Sequence, residues 1–138
     1  MELFIVEKKE IAQGIVEVAF DIINKDFLFQ AGQYIHVTLP QLLYEDPRGK
    51  SRDFSIASSP NDKKFLRIAF RVSDSGFKRT LVEVALGSVV DVDGPYGDMI
   101  LAKDSSVQVV FIAGGIGITP FLSIIRFATE QKLPQKIS

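Results

Sequence analysis

Two short segments carry residue types that could hold a phosphate. The first is Gly114-Gly115-Ile116-Gly117-Ile118-Thr119-Pro120, which follows the apolar run Val109-Val110-Phe111-Ile112-Ala113. Glycines at a strand-to-helix turn let a dinucleotide's phosphates approach the backbone, while the helix behind them offers unpaired N–H groups and a partial positive charge. The spacing is not Gly-x-Gly-x-x-Gly, so a plain Gly-rich turn fits as well. The second segment is Gly76-Phe77-Lys78-Arg79, where Gly76 would let a ligand come close. Lys78 and Arg79 fall in a first helical turn, where cations are disfavoured by about 0.3–1 kcal/mol each. A bound anion would reverse that sign; with none, both side chains would simply point into water.

Other chemistries find little material. The 138 residues include no cysteine and one histidine, His36, so disulfides, thiolate metal sites and a cluster held by this chain's own thiolates are excluded, and His36 cannot make a zinc site alone. No metal site is expected. A Ser-His-Asp set has little support, and no carboxylate pair stands out. Lys and Arg number 16 against 17 acidic residues, which gives no global field toward nucleic acid or anionic lipid. No apolar stretch is long enough to span a membrane, and Met1-Glu2-Leu3-Phe4 lacks the pattern of a signal peptide. The expected setting is cytoplasmic, with no nucleic-acid or membrane partner.

The elements that must position these segments are mostly strands. Glu10 to Phe20, Gln33 to Leu39, Phe65 to Val72 and Val89 to Val92 alternate or run apolar, separated by turn clusters such as Ser59-Pro60-Asn61-Asp62. A small barrel or sandwich is expected. The polar stretch Leu42 to Ser51 is expected to be an exposed loop leading into the next strand. One helix is predicted from Ser75 to Leu86, with Phe77, Leu81, Val84 and Ala85 near helical spacing. Val107 to Ala113 predicts a strand buried on both faces. A second helix follows, carrying Phe121, Leu122, Ile124, Ile125 and Ala128, with Thr119 as its cap and Pro120 at its first position.

Arg52-Asp53-Phe54-Ser55 resembles the Arg-x-Tyr-Ser signature of the ferredoxin–NADP reductase superfamily. Ala31-Gly32-Gln33-Tyr34 resembles the Pro-Gly-Gln-Tyr of an early barrel strand in that family. Gly94-Pro95-Tyr96-Gly97 resembles the turn that closes the barrel, and Gly114 to Pro120 the opening glycine turn of its second domain. The order of the four also agrees, and Phe77-Lys78-Arg79-Thr80-Leu81 looks most like the bacterial oxidoreductase branch. The resemblance implies a mainly β fold: a six-stranded antiparallel Greek-key FAD-binding barrel with one capping helix over residues 1–102. A truncated α/β strand-helix fragment of an NAD(P)-binding domain would follow over 103–138.

The resemblance also implies roles. Arg52 would pair with the FAD pyrophosphate, which suits a planar, always-charged double donor. Phe54 would stack on the isoalloxazine without the usual phenol hydroxyl. Ser55 would offer its hydroxyl and N–H near flavin N5, and Thr119 would face the junction of nicotinamide and flavin; these two are the expected catalytic residues. Phe70, Arg71 and Val72 would lie beside the pyrimidine through their backbone. Gly76, Phe77 and Lys78 would form the phosphate-binding helix start, and Gly114, Gly115, Gly117, Thr119 and Pro120 the nicotinamide entrance. Tyr34 and His36 are expected to be barrel residues, and Tyr96 to pack in its turn.

The implied reaction is electron transfer from NADH or NADPH through FAD to an acceptor, a protein or small molecule, that the sequence does not name. A parallel strand buried on both faces needs parallel neighbours, and only Lys136-Ile137-Ser138 follows as the start of one, so the second domain is expected to be unfinished. Truncation, proteolysis and completion by another chain all fit. The chain alone would then not oxidise NAD(P)H, and its apolar edge would associate with itself or be disordered. Two other readings stand beside this one. The chain could be a flavin-binding electron-transfer subunit of a multi-chain complex, resembling that of dihydroorotate dehydrogenase, or a ligand-free barrel used for interaction.

Overall fold

Inward alternation builds a barrel. The computed structural model describes residues 1–102, 104 and 106–138. Its strands are β1 (Glu2–Ala12), β2 (Ile15–Asp21), β3 (Tyr34–Thr38), β4 (Ser51–Ser55), β5 (Phe65–Arg71) and β6 (Val89–Tyr96). All the pairings between them are antiparallel. The sheet order is β4-β3-β6-β1-β2-β5, in which β6 returns to lie between β3 and β1, the Greek-key connectivity. An Ile56–Ile68 bridge just past β4 ties that edge to β5 and closes the barrel. Closure removes both open edges, and every second side chain then faces one core. Leu3, Ile5, Val18, Phe20, Ile35, Val37, Ile56, Leu66, Ile68, Val90 and Val92 meet there.

Helix α1 (Gly76–Glu83) plugs this core with Phe77 and Leu81, both fully buried and four residues apart on one face. Ser75 caps it by accepting from the Lys78 N–H at 3.3 Å. At its other end the Lys8 ammonium, from β1, donates to the Val82 and Val84 carbonyls, where the helix dipole favours a cation. The helix is shorter than the predicted Ser75 to Leu86, because Val84 turns extended and its N–H closes on Thr80.

Two sequence expectations change. The segment Glu10 to Phe20 is not one strand: Gln13 and Gly14 turn the chain, and β1 pairs back on β2 as a hairpin. The outer half of β1 is polar and exposed, so no apolar alternation announced it. Likewise, Val107 to Ala113 is not a strand buried on both faces. It makes one parallel bridge, Val109 to Ile137, while Val110 is 62% and Ile112 89% exposed. A parallel strand is covered only when neighbours and helices flank it, and here a single strand start flanks it.

A 3₁₀ turn over Gly115–Ile118 leads directly into α2 (Thr119–Glu130). Thr119 is not its cap. Ile118 takes that position, and the Thr119 hydroxyl donates instead to the Ile116 carbonyl at 2.7 Å. The helix docks on the barrel through polar contacts that follow the Arg52-to-Ser55 segment. The buried Ser123 hydroxyl donates to the Ser58 carbonyl at 2.6 Å, and Arg126 to the Ala57 carbonyl at 2.7 Å. The Glu130 carboxylate accepts from the Ser59 hydroxyl and the Asn61 amide. Gly32 completes the joint: with φ at +101°, a Cβ there would lie 1.9 Å from the Met99 carbonyl oxygen. On its other side α2 leaves an apolar hollow of about 640 Å³ lined by Phe111, Phe121, Ile125, Leu133 and Ile137.

Candidate functional site

The docking of α2 opens a cleft of about 310 Å³ between barrel and helix. It is lined by Phe54 and Ser55 of β4, Phe70 and Arg71 of β5, Lys78 of α1, and Gly117, Thr119 and Pro120. Residues far apart in the chain meet here because β4 and β5 are the two edges that barrel closure joins. Ser55 and Thr119 therefore face one space. At Gly114, Gly115 and Gly117 an added Cβ would meet nothing within 4 Å, so the backbone beside this cleft is open to a close ligand.

Phe54 is only 7% exposed. Its ring stacks on Phe77 at 5.9 Å and tilts against Phe70 at 5.5 Å, which places the ring in the core with one edge on the cleft. Phe77 is wholly internal, and its backbone N–H is taken by the Asp46 carboxylate. Val72 lies outside the cleft lining and is 37% exposed, its N–H bonded to the Gly14 carbonyl. Arg79 does not join Lys78: its guanidinium stacks over the Tyr44 ring at 3.6 Å. Tyr34 and Tyr96 pair at 5.7 Å on the barrel rim, where the Tyr96 hydroxyl bonds Asp93, and His36 bonds Asp53 at 2.7 Å.

The start of α1 holds a residue that sequence reasoning passed over. Asp46 lies in the segment expected to be an exposed loop, yet its side chain is 3% exposed. One oxygen accepts from the Arg48 N–H at 2.9 Å and from the Arg52 guanidinium at 2.5 Å. The other accepts from the Ser75 hydroxyl at 2.7 Å and the Phe77 N–H at 3.0 Å. Arg52 also donates to the carbonyls of Arg48, Gly49 and Ser51, and its guanidinium lies 5.3 Å from the centre of the Phe77 ring. The room at Gly76 is used by the same loop: a Cβ there would lie 2.3 Å from the Glu45 carbonyl oxygen. A carboxylate six residues ahead of an arginine, in a Pro-Arg-Gly turn, was the available signal.

These bonds hold the Asp46 carboxyl well below the usual carboxylate range. The Phe77 N–H and the Ser75 hydroxyl contribute most, against a smaller opposing cost of burial. Because the folded value is depressed, the stabilisation is complete above the unfolded value of about 3.9, begins to be lost as pH falls through it, and goes on being lost down to the much lower folded value. Urea midpoints measured from about pH 6 down to pH 3 should therefore fall, and Asp46→Asn should flatten the decline. Some slope should remain from Asp93, lowered chiefly by the Tyr96 hydroxyl. An undiminished slope in the variant would show that Asp46 is not the group responsible.

Residues 2–100 match the family model of the oxidoreductase FAD-binding domain, and the chain belongs to that family. It is 32% identical over 123 residues to the phenol hydroxylase P5 protein of Acinetobacter pittii (strain PHEA-2), covering 88% of this chain and 33% of that protein. It is 34% identical over 120 residues to a probable flavin reductase of Vibrio harveyi, covering 83% of this chain and 48% of that one. Among solved structures, phthalate dioxygenase reductase superposes with a TM-score of 0.81 at 25% identity, covering 99% of this chain and 41% of that one. The chain thus spans between about a third and a half of the length of these relatives. Among the described residues no helix is long and apolar enough to cross a membrane.

The residues present fit the cofactor that the family name implies. A cleft edged by aromatic rings, with two cations, Arg71 and Lys78, against one carboxylate, Asp53, and with open backbone at Gly117, suits a planar ring carrying an anionic tail.

Proposed function

We propose that this chain is the flavin-binding part of an NAD(P)H-dependent oxidoreductase that passes electrons through FAD to a protein or small-molecule acceptor. The observation that carries this reading is the cleft itself, which sets Ser55 and Thr119 across one space beside Phe54, Arg71 and Lys78. Relatives support it. The phthalate dioxygenase reductase structure is described as transferring electrons from pyridine nucleotides to a [2Fe-2S] centre.

When bound, FAD would supply two-electron acceptance from a nicotinamide and release of one or two electrons to the acceptor. The protein's residues position and polarise. Ser55 presents a hydroxyl and a backbone N–H toward the ring, donors suited to negative charge developing there. Thr119 keeps its hydroxyl proton on the Ile116 carbonyl, so that hydroxyl can serve a ligand only as an acceptor. Phe54, Phe70 and Arg71 would bound the ring, and Lys78 is the residue of the α1 start that lines the cleft toward the phosphates. Gly114, Gly115, Gly117 and Pro120 would leave room for the nicotinamide, while Val72, Gly76 and Phe77 lie off the cleft lining. The barrel would end at residue 102; the boundary falls beside Lys103, outside the described residues. The apolar hollow on α2 marks where further chain, or another copy of this one, would cover the second domain.

The test is a visible spectrum after purification with added FAD. A yellow chromophore near one per chain is expected, and a colourless protein after reconstitution would sink the proposal. Anaerobic NADH or NADPH should leave that colour unbleached, because the segment ahead of the glycine turn makes a single parallel bridge and leaves Val110 and Ile112 exposed; bleaching would refute that part.

A further inference from the structure

We propose that a polar stripe on α2, with Arg126 at its centre, is the ruler that sets Thr119 opposite Ser55. Arg126 is then a positioning residue for the cleft although it lies outside the lining. The consequence for flavin rests on the reading above; the placement of Thr119 does not.

Thr119, Ser123, Arg126 and Glu130 follow one another at four, three and four residues, so they line one face of α2. Thr119 and Ser123 are buried. Against this stripe runs the segment that leaves β4, and it is held residue by residue. The Ile56 N–H goes to the Gln33 carbonyl at 2.9 Å and the Ala57 N–H to the Arg67 carbonyl at 2.7 Å, which ties the segment to the barrel. Its other groups serve α2. The Ala57 carbonyl accepts from Arg126 at 2.7 Å and the Ser58 carbonyl from Ser123 at 2.6 Å, while the Ser59 hydroxyl donates to Glu130. Following both partners backward leads from Glu130 at Ser59 to Thr119 and Ser55, the pair that shares the cleft.

The stripe fixes a register because it is polar. Apolar contact has no direction and tolerates sliding, whereas a hydrogen bond weakens beyond about 3.2 Å and leaves a buried group unsatisfied. Ser123 is fully buried with the Ser58 carbonyl as its acceptor, so α2 cannot shift without orphaning that hydroxyl. Arg126 adds an anchor in the barrel wall. Its guanidinium lies 3.9 Å from Glu17 Oε2, Glu17 Oε1 accepts from Arg67 at 3.1 Å, and Arg67 reaches Glu7 at 2.9 Å. This row of alternating charge ends on β1 and β2, which refers the helix to the strands as well as to the segment after Ser55. Phe121 and Ile125 line the hollow on the other side and take no part in this register.

The chain has no cysteine, so Thr119→Cys carries a single thiol at a buried position, and its reaction with an aromatic disulfide reagent reports how firmly that end of α2 is held. Adding Arg126→Ala or Ser123→Ala should speed the reaction about 10-fold, the effect of losing one hydrogen bond of the stripe. Arg126→Lys, which can still donate to the Ala57 carbonyl, should stay within about 3-fold. Ser123→Ala deletes one hydroxyl and keeps the test readable if Arg126→Ala does not fold. Unchanged labelling in the folded variants would overturn the proposal. Riboflavin, read by quenching of its fluorescence, separates positioning from stability. Thr119→Val and Arg126→Ala should each weaken its binding about 5-fold, and the double variant should be no weaker than either, because Arg126 acts through Thr119. A double variant about 25-fold weaker, the product of the two, would also overturn it. If wild type bound no riboflavin, the flavin reading would fall, and the thiol rates by themselves would decide what holds Thr119.

Discussion

Arg52→Ala should be among the most damaging single changes in the barrel, lowering the thermal midpoint by roughly 10 °C. The substitution leaves the Asp46 carboxylate buried without its cation, and it frees three loop carbonyls from their donor. Breaking one side of a buried ion pair costs far more than the pair contributes, because the remaining charge has no water to turn to. The 40–50 loop should loosen with it, since Arg52 joins that loop to β4 while Asp46 joins it to α1. FAD retention should fall as well, through loss of the α1 surface. Arg52→Lys should recover part of the stability, because it restores charge without the fork that spans several carbonyls. Calorimetry of the three proteins decides the matter; an Arg52→Ala midpoint equal to wild type would mean that the Arg52–Asp46 pair contributes nothing to stability.

Phe77→Ala should cost about 3–5 kcal/mol, the range for emptying a buried phenylalanine site. Its ring is fully buried, stacks on Phe54 and lies beside the Arg52 guanidinium. No neighbour can fill the space cheaply, since α1 is held at its start by Ser75 and Asp46 and at its end by Lys8. The functional consequence follows from the same contact. Phe54 loses its backing and can tilt away from the cleft edge, so riboflavin, which reports the ring site alone, should bind more weakly. Urea unfolding gives the energy and riboflavin titration the second effect. A Phe77→Leu variant, which keeps most of the volume, should lie between the two; a variant as stable as wild type would show that the ring is not part of the core packing.

Both results bear on what could be read from residues in order. Phe77 and Leu81 were legible as one helical face, and burial of that face makes α1 a plug. The strand signals around Tyr34, Leu66 and Val90 gave the barrel for the same reason, because alternation follows directly from the two-residue period of an extended chain. The middle of β1 and the turn at Gln13-Gly14 were not legible: Glu7, Lys8, Lys9 and Glu10 form a charged run with no apolar rhythm, although Lys8 reaches the end of α1 and Glu7 pairs with Arg67. Asp46 was missed for a related reason. Composition marks a polar loop as exposed, and only packing against α1 turns one of its carboxylates inward.

The residues by themselves determined the class of the protein. The motifs from Arg52 to Ser55 and from Gly114 to Pro120 and their order do not depend on any contact, so their resemblance pointed to a flavin-binding domain. Local periodicity likewise marked β3, β5, β6 and the buried face of α1. Tertiary structure decided which of the named residues can reach a ligand. Closure of the barrel brought Ser55 opposite Thr119 across one cleft, and it drew Phe54 into the core. It also paired Arg52 with Asp46 across the start of α1, leaving Lys78 and Arg71 as the cations that line the cleft. Spacing along a chain states which groups are available, but a buried charge must find its counter-charge in space, and that choice is made only when the loop, the strand and the helix meet.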